Sequence, residues 1–262
     1  MTSFASHHPA HHPMSSRRPS RRRALSAALV AAASVVCVGL FADPAPAATS
    51  RTTHPTATTA PVTGVAGARA QLIAAITVRQ TALHRVLAST AASKTMDPTD
   101  QSVLSASLTQ TLTNMNALAA KAPSDTTAAD VAADHTAMVQ NYVLALQVPA
   151  ADMVLAAEYA ASIEAEMSAR LPAIQKLMAP ANNQGSPVPS AVKTAYTDFQ
   201  HELNAAQSAT GGVSSSLLAL LPASYPSNQG VLTSARSDLA NVRHDLGLAV
   251  TDLNTIVTNF HH

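Results

Sequence analysis

The chain has one cysteine and no tryptophan among its 262 residues. A single thiol cannot close an internal bridge, so a disulfide-stapled fold is excluded. Aromatic residues amount to 3% and charged residues to 12%, which argues against charge-rich disorder. Only 8 glycines are present, and they follow no collagen period. Alanine is the largest part of the hydrophobic fraction: 55 residues, a fifth of the chain, ahead of leucine and valine. Such a composition favours closely packed helices over a strand-built domain. The length suffices for a sizeable core in one or two domains.

The first 47 residues read as a signal peptide. Arg17, Arg18, Arg21, Arg22 and Arg23 form a positive region, Leu25 to Ala42 is uncharged and apolar, and Ala45-Pro46-Ala47 offers a small-x-small cleavage pattern before Ala48. Positive charge ahead of an apolar stretch stays on the cytoplasmic side while the rest is threaded across. Ser20-Arg21-Arg22-Arg23-Ala24-Leu25 resembles a twin-arginine signal, although Ala24 stands where a bulky apolar residue is usual, so Sec and twin-arginine export both remain open. An uncleaved signal would leave a membrane anchor, the only membrane contact the sequence implies. His7, His8, His11 and His12 precede the signal and leave with it, as does Cys37.

Removal of this segment reverses the charge balance. Five of the 16 Lys+Arg and one of the 15 Asp+Glu lie in it, so 11 bases face 14 acids and the formal charge goes from +1 to −3. No basic patch with interleaved aromatics is left to hold nucleic acid. Residues 48–63 are rich in Thr, Pro and Ala without a helical period, the mark of a disordered linker.

From Gly64 the pattern becomes helical, and residues 64–262 read as an all-α domain: an elongated antiparallel bundle of about six helices. The first, about 65–89, directs Leu72, Ile76, Leu83 and Val86 inward. The second starts at Asp97-Pro98, with Asp as N-cap and Pro in the first helical position, and places Leu104, Leu108, Leu112 and Met115 inside. The third, about 127–147, buries Val131, His135, Met138, Tyr142 and Leu146. The fourth runs to about residue 178 through Met153, Ala156, Ala160, Ile163, Met167, Leu171 and Ile174, with a bend at Pro172. After a loop at 182–189, the fifth carries Val192, Tyr196, Phe199, Leu203, Ala206, Val213, Leu217 and Leu220, its rhythm passing over Gly211-Gly212 as a kink and not a stop. The sixth has the most regular stripe, Leu232, Ala235, Leu239, Val242, Leu246, Ala249, Leu253, Ile256 and Phe260, which satisfies the coiled-coil template.

Pro98-Thr99-Asp100-Gln101-Ser102-Val103-Leu104 aligns with Pro226-Ser227-Asn228-Gln229-Gly230-Val231-Leu232, four of the seven positions being identical. Hairpins 65–121 and 190–260 therefore read either as a duplication or as convergence on a common helix start. The Arg-rich signal, the Thr/Pro linker, the alanine-rich helices, the turn Leu221-Pro222-Ala223-Ser224-Tyr225-Pro226 and the stretch Asn141-Tyr142-Val143 to Val148-Pro149 together resemble uncharacterised secreted helical proteins of high-GC actinobacteria. The resemblance implies location and architecture, and no activity.

Motifs for chemistry are missing from the text. There is no Gly-x-Ser-x-Gly elbow, no phosphate-cradling Gly-x-x-x-x-Gly-Lys or Gly-x-Gly-x-x-Gly, and no His-Glu-x-x-His. The acids of the fourth helix (Asp152, Glu158, Glu164 and Glu166) read as a solvated face. The seam His135, Met138 and Tyr142 is the one candidate ligand set, since a bundle holds haem or metal with inward His and Met. The plainer reading is a packed histidine among methionines that fill the core. No catalytic residue, metal site or cofactor is implied. The expectation is thus an exported, non-enzymatic bundle in the cell envelope or outside the cell, meeting a protein partner or a second copy through an apolar, alanine-lined helix face. The alternative is a carrier of haem, metal or a small apolar ligand.

Overall fold

The computed structural model describes residues 64–183 and 187–260, without the side chains of 180–183 and 260. The signal peptide and linker expected over 1–63 lie outside the described residues. Among those described, every regular element is helical and none is a strand.

Helices α1 (Val65–Ala92) and α2 (Pro98–Lys121) form a hairpin. Three ties show its antiparallel sense: Arg69 at the start of α1 donates to the carbonyl of Pro123 past the end of α2, Gln80 donates to Asn116, and Gln101 donates to the carbonyl of Thr90. The Asp97 carboxylate caps α2 by accepting from the amides of Thr99 at 2.8 Å and Asp100 at 3.4 Å, and Pro98 takes the first position, where its missing N–H costs nothing. A 3-10 turn, Ala122–Ser124, leads to α3 (Ala128–Gln140). There a capping box links the Thr127 hydroxyl to the Asp130 amide and the Asp130 carboxylate back to the Thr127 amide.

The third helix stops seven residues earlier than its pattern predicts. Tyr142 adopts φ 46°, ψ 36°, left-handed backbone that a bulky side chain rarely takes, and 143–147 then form a π turn into α4 (Val148–Ser168). Side chains hold this reversal in place. Asn141 Nδ2 donates to Ala137 O at 2.9 Å. Gln147, buried, donates to Asn141 O at 2.9 Å and accepts from the Thr111 hydroxyl of α2 at 2.7 Å. The Tyr142 ring also packs on Tyr225, centroids 4.6 Å apart.

Two further interruptions differ from the expected outline. Helix α4 ends at Ser168 and α5 (Leu171–Asn183) begins anew, so Pro172 marks a break where a bend was expected. The proline has no N–H for the carbonyl four residues back, and its ring clashes there. The fifth predicted helix is likewise two: α6 (Ser190–Thr210) stops before the glycine pair and α7 (Val213–Leu218) restarts after it. The inward rhythm survives the stop, since Ala206, Thr210, Val213 and Leu217 are all buried. A second 3-10 turn, Pro222–Ser224, precedes α8 (Gln229–Phe260), the longest of the described helices.

Buried side chains divide into two clusters. The first joins α1, α2, α3, the π turn, α7, the N-terminal half of α4 and the start of α8. The second joins the rest of α4 with α5, α6 and the remainder of α8, around Phe199. Helices α4 and α8 run through both. Among the described residues the α6–α8 pair makes the most extensive helix contact.

The inward residues expected on α1 are all buried, as are seven of the nine on α8; Leu239 is half-buried and the side chain of Phe260 is not described. Elsewhere the seam shifts. Thr111 is buried where Leu112 is half-buried, Ala157 takes the place of Ala156, and Asp134 takes the place of His135. The matching segments 98–104 and 226–232 both bury their leucine, Leu104 and Leu232, yet Pro98 opens a helix whereas Pro226 lies three residues before one, after a cis peptide bond.

Candidate functional site

His135, Met138 and Tyr142 do not converge. His135 is exposed, Met138 is 1% exposed inside the first cluster, and Tyr142 is half-buried against Tyr225. The expectation of an inward His135 is therefore corrected: one residue earlier on α3, Asp134 fills the buried position because Lys121 of α2 meets its carboxylate there. Among the described residues no three His, Cys, Asp or Glu side chains gather so as to hold a metal ion.

His135 faces a different feature. An open groove of about 540 Å³ runs between α1 and α3, floored by Leu72 and Val131 and walled by Ala68, Ala75, Ala128 and Ala132, with His135 and Thr136 on its rim. Alanine walls follow from the composition: a methyl group leaves room beside a helix where a leucine would fill it. Such a surface lets another helix backbone approach closely and bury apolar area.

A second groove, about 630 Å³, lies where α7 meets the start of α8 and is lined by the hydroxyls of Ser216, Ser227 and Ser234, by small residues and by the carboxylate of Asp238. Asn228 belongs to the same lining; its amide donates to Leu221 O at 3.2 Å while its Oδ1 is buried without a partner.

The acids of α4 are not one solvated face. Asp152 pairs with Arg85 of α1 at 2.9 Å, both ends exposed, a bond worth only about 0–1 kcal/mol. Glu164 is 6% exposed and accepts from the Thr210 hydroxyl at 2.6 Å. Burial pushes its carboxyl up from the ordinary value, and the Thr210 bond works in the opposite direction. Glu158 accepts from the Ser214 hydroxyl at 2.6 Å and from the Asp97 amide at 3.3 Å. These two carboxyls thus hold both sides of the α6–α7 break. Nothing local in the sequence marks them, since Thr210 and Ser214 lie 46 and 56 residues away.

By length and composition alone, the helical stretch Ala128–Ala179 could cross a bilayer, but 56% of its apolar window is buried within the bundle. No protein-family model, curated protein or solved structure matches this chain.

Proposed function

We propose that this is an exported, non-enzymatic helical module of the cell envelope or extracellular space, which docks an apolar helix in the groove between α1 and α3. The groove carries the reading: alanines on two neighbouring helices border Leu72 and Val131, and small side chains of this kind leave room for the ridge of an approaching helix. Export rests on the Arg-rich region, the apolar stretch and the Ala45-Pro46-Ala47 pattern. The absence of nucleophile, phosphate-loop and zinc-protease motifs from the sequence supports a binding role over a catalytic one.

Ala132→Glu tests it. Ala132 is exposed, so the change leaves folding within about 0.5 kcal/mol while placing a charge where apolar area would be buried. The protein is expected to self-associate in sedimentation equilibrium, or to cross-link to a defined envelope protein, and the variant to lose that association. A monomer at all concentrations, or a partner retained equally by both proteins, would refute the groove as the interface.

A further inference from the structure

The connection between α2 and α3 holds more buried negative charge than it satisfies. Lys121 closes α2, Asp125 follows the 3-10 turn, and Asp130 and Asp134 stand in the first two turns of α3. Asp130 is turned to the start of its own helix, its Oδ2 accepting from the amide and hydroxyl of Thr127. Asp125 and Asp134 are each 3% exposed. Lys121 meets Asp134 through Oδ1 only. Arg69, the charged group that α1 brings to this turn, donates to the backbone carbonyls of Pro123 and Asp125 at 3.2 and 3.1 Å and to neither carboxylate. His135 follows Asp134 but is exposed, on the groove side. Asp125 Oδ2 and Asp134 Oδ2 remain, both buried and both without a partner. The two side chains lie close enough to hydrogen-bond to each other.

Two carboxylates cannot do so, since both are acceptors. A bond between them requires a donor, and Lys121 already bonds Asp134 through Oδ1. A single hydrogen ion supplies the donor: bound to one carboxyl, it makes an O–H that donates to the other and cancels the excess charge. We propose that Asp125 and Asp134 form one proton-binding site, which clasps the α2–α3 turn when it holds a proton and loosens the turn when both groups ionise.

Electrostatics act in the same sense. Burial raises the Asp125 carboxyl from its ordinary value, the charge of Asp134 raises it further, and Lys121 opposes them. A group with a raised folded-state value binds its proton more tightly in the folded chain. Its contribution to stability is complete below the unfolded value, about 3.9 for Asp, and is lost as pH climbs through the folded one. The site needs no partner and stands independently of the groove.

The experiment is a titration of the whole protein by carboxyl carbon NMR, beside urea unfolding from acid to neutral pH for the wild type, Asp125→Asn and Asp134→Asn. One Asp carboxyl is expected to titrate above the ordinary range, and its signal and that of its neighbour should shift together. Asp125→Asn replaces the shared proton with an amide N–H, so its urea midpoint at neutral pH should equal or exceed that of the wild type and its pH dependence should flatten. Asp134→Asn removes the partner of Lys121 and should lower the midpoint throughout. The proposal is overturned if both carboxyls titrate in the ordinary range, or if Asp125→Asn lowers the midpoint equally at acid and neutral pH. It is also overturned if Mg2+ or Ca2+ raises the wild-type midpoint but not that of Asp125→Asn. Should that variant fail to fold, the wild-type NMR titration alone decides.

Discussion

Phe199 belongs to the second cluster with 0% of its surface exposed, and Leu83 belongs to the first, also at 0%. Truncating each to alanine asks whether the two clusters melt as one body. Leu→Ala in a core costs about 2–5 kcal/mol and Phe→Ala about 3–5 kcal/mol, transfer and cavity terms together. For a domain of this size each kcal/mol moves Tm by about 2–4 °C, so Phe199→Ala should lower the midpoint by roughly 6–20 °C. Helices α4 and α8 contribute side chains to both clusters, and neither helix can lose half its partners and keep the rest of its packing. Both substitutions are therefore expected to shift a single transition, seen at the same temperature by circular dichroism and by hydrogen exchange in α1 and α6. A Phe199→Ala protein in which α5, α6 and the end of α8 open early, while α1 and α2 keep their wild-type transition, would refute the coupling through the shared helices.

Two further outcomes follow from individual positions. Glu164→Gln keeps the shape and still accepts the Thr210 bond, so it should remove a pH dependence without losing the fold. Because burial raises the Glu164 carboxyl, the wild type should lose stability as pH rises from the ordinary Glu value of about 4.3 through the raised one, whereas the Gln variant should not; identical pH slopes in urea unfolding would count against a buried, protonatable Glu164. Gly212 has φ −106° and open space where a Cβ would stand. Alanine there should stabilise by about 0.4–1 kcal/mol through the unfolded chain, and Gly211→Ala by less, since its Cβ would meet Gln207 O at 3.3 Å. Chemical denaturation of both variants checks the order.

Where the apolar side chains are large, the helix faces were legible in the sequence. In α8 the steps of three and four leave no second choice, and the structure buries seven of the nine residues in that stripe. Alanine weakens the same signal. On α4 the inward position could fall on Ala156 or Ala157, two equal side chains, and only packing decides for Ala157. On α3 a step of three or four from Val131 lands on Asp134 or His135, both polar, so the apolar pattern prefers neither. Lys121, brought up by the end of α2, settles it for Asp134. The breaks were legible as places and not as outcomes. Pro172 and Gly211-Gly212 are visible as weak points, but whether a helix bends or stops depends on its neighbours. The left-handed Tyr142 was not legible at all, because the cost of that backbone is met by Gln147, Asn141 and Tyr225, partners that exist only once the chain has folded.

The α4 carboxyls and the glycine pair make sense as one feature. A helix that stops between Thr210 and Val213 loses its continuous ladder there, at glycines exposed to solvent, so side chains on either side of the stop must hold the two helices in place. Thr210 and Ser214 flank the stop, four residues apart, and each donates its hydroxyl to a glutamate of α4. Glu164 secures the last turn of α6 and Glu158 the first turn of α7, while Glu158 also reaches the Asp97 amide at the entrance to α2. The break is thus fixed from outside by a neighbouring helix, and its angle is set by which hydroxyls meet which carboxylates. An acidic run on a helix reads as solvated by default. It becomes a clamp here because another segment of the chain stops being a helix beside it, and a pattern confined to α4 carries no trace of that.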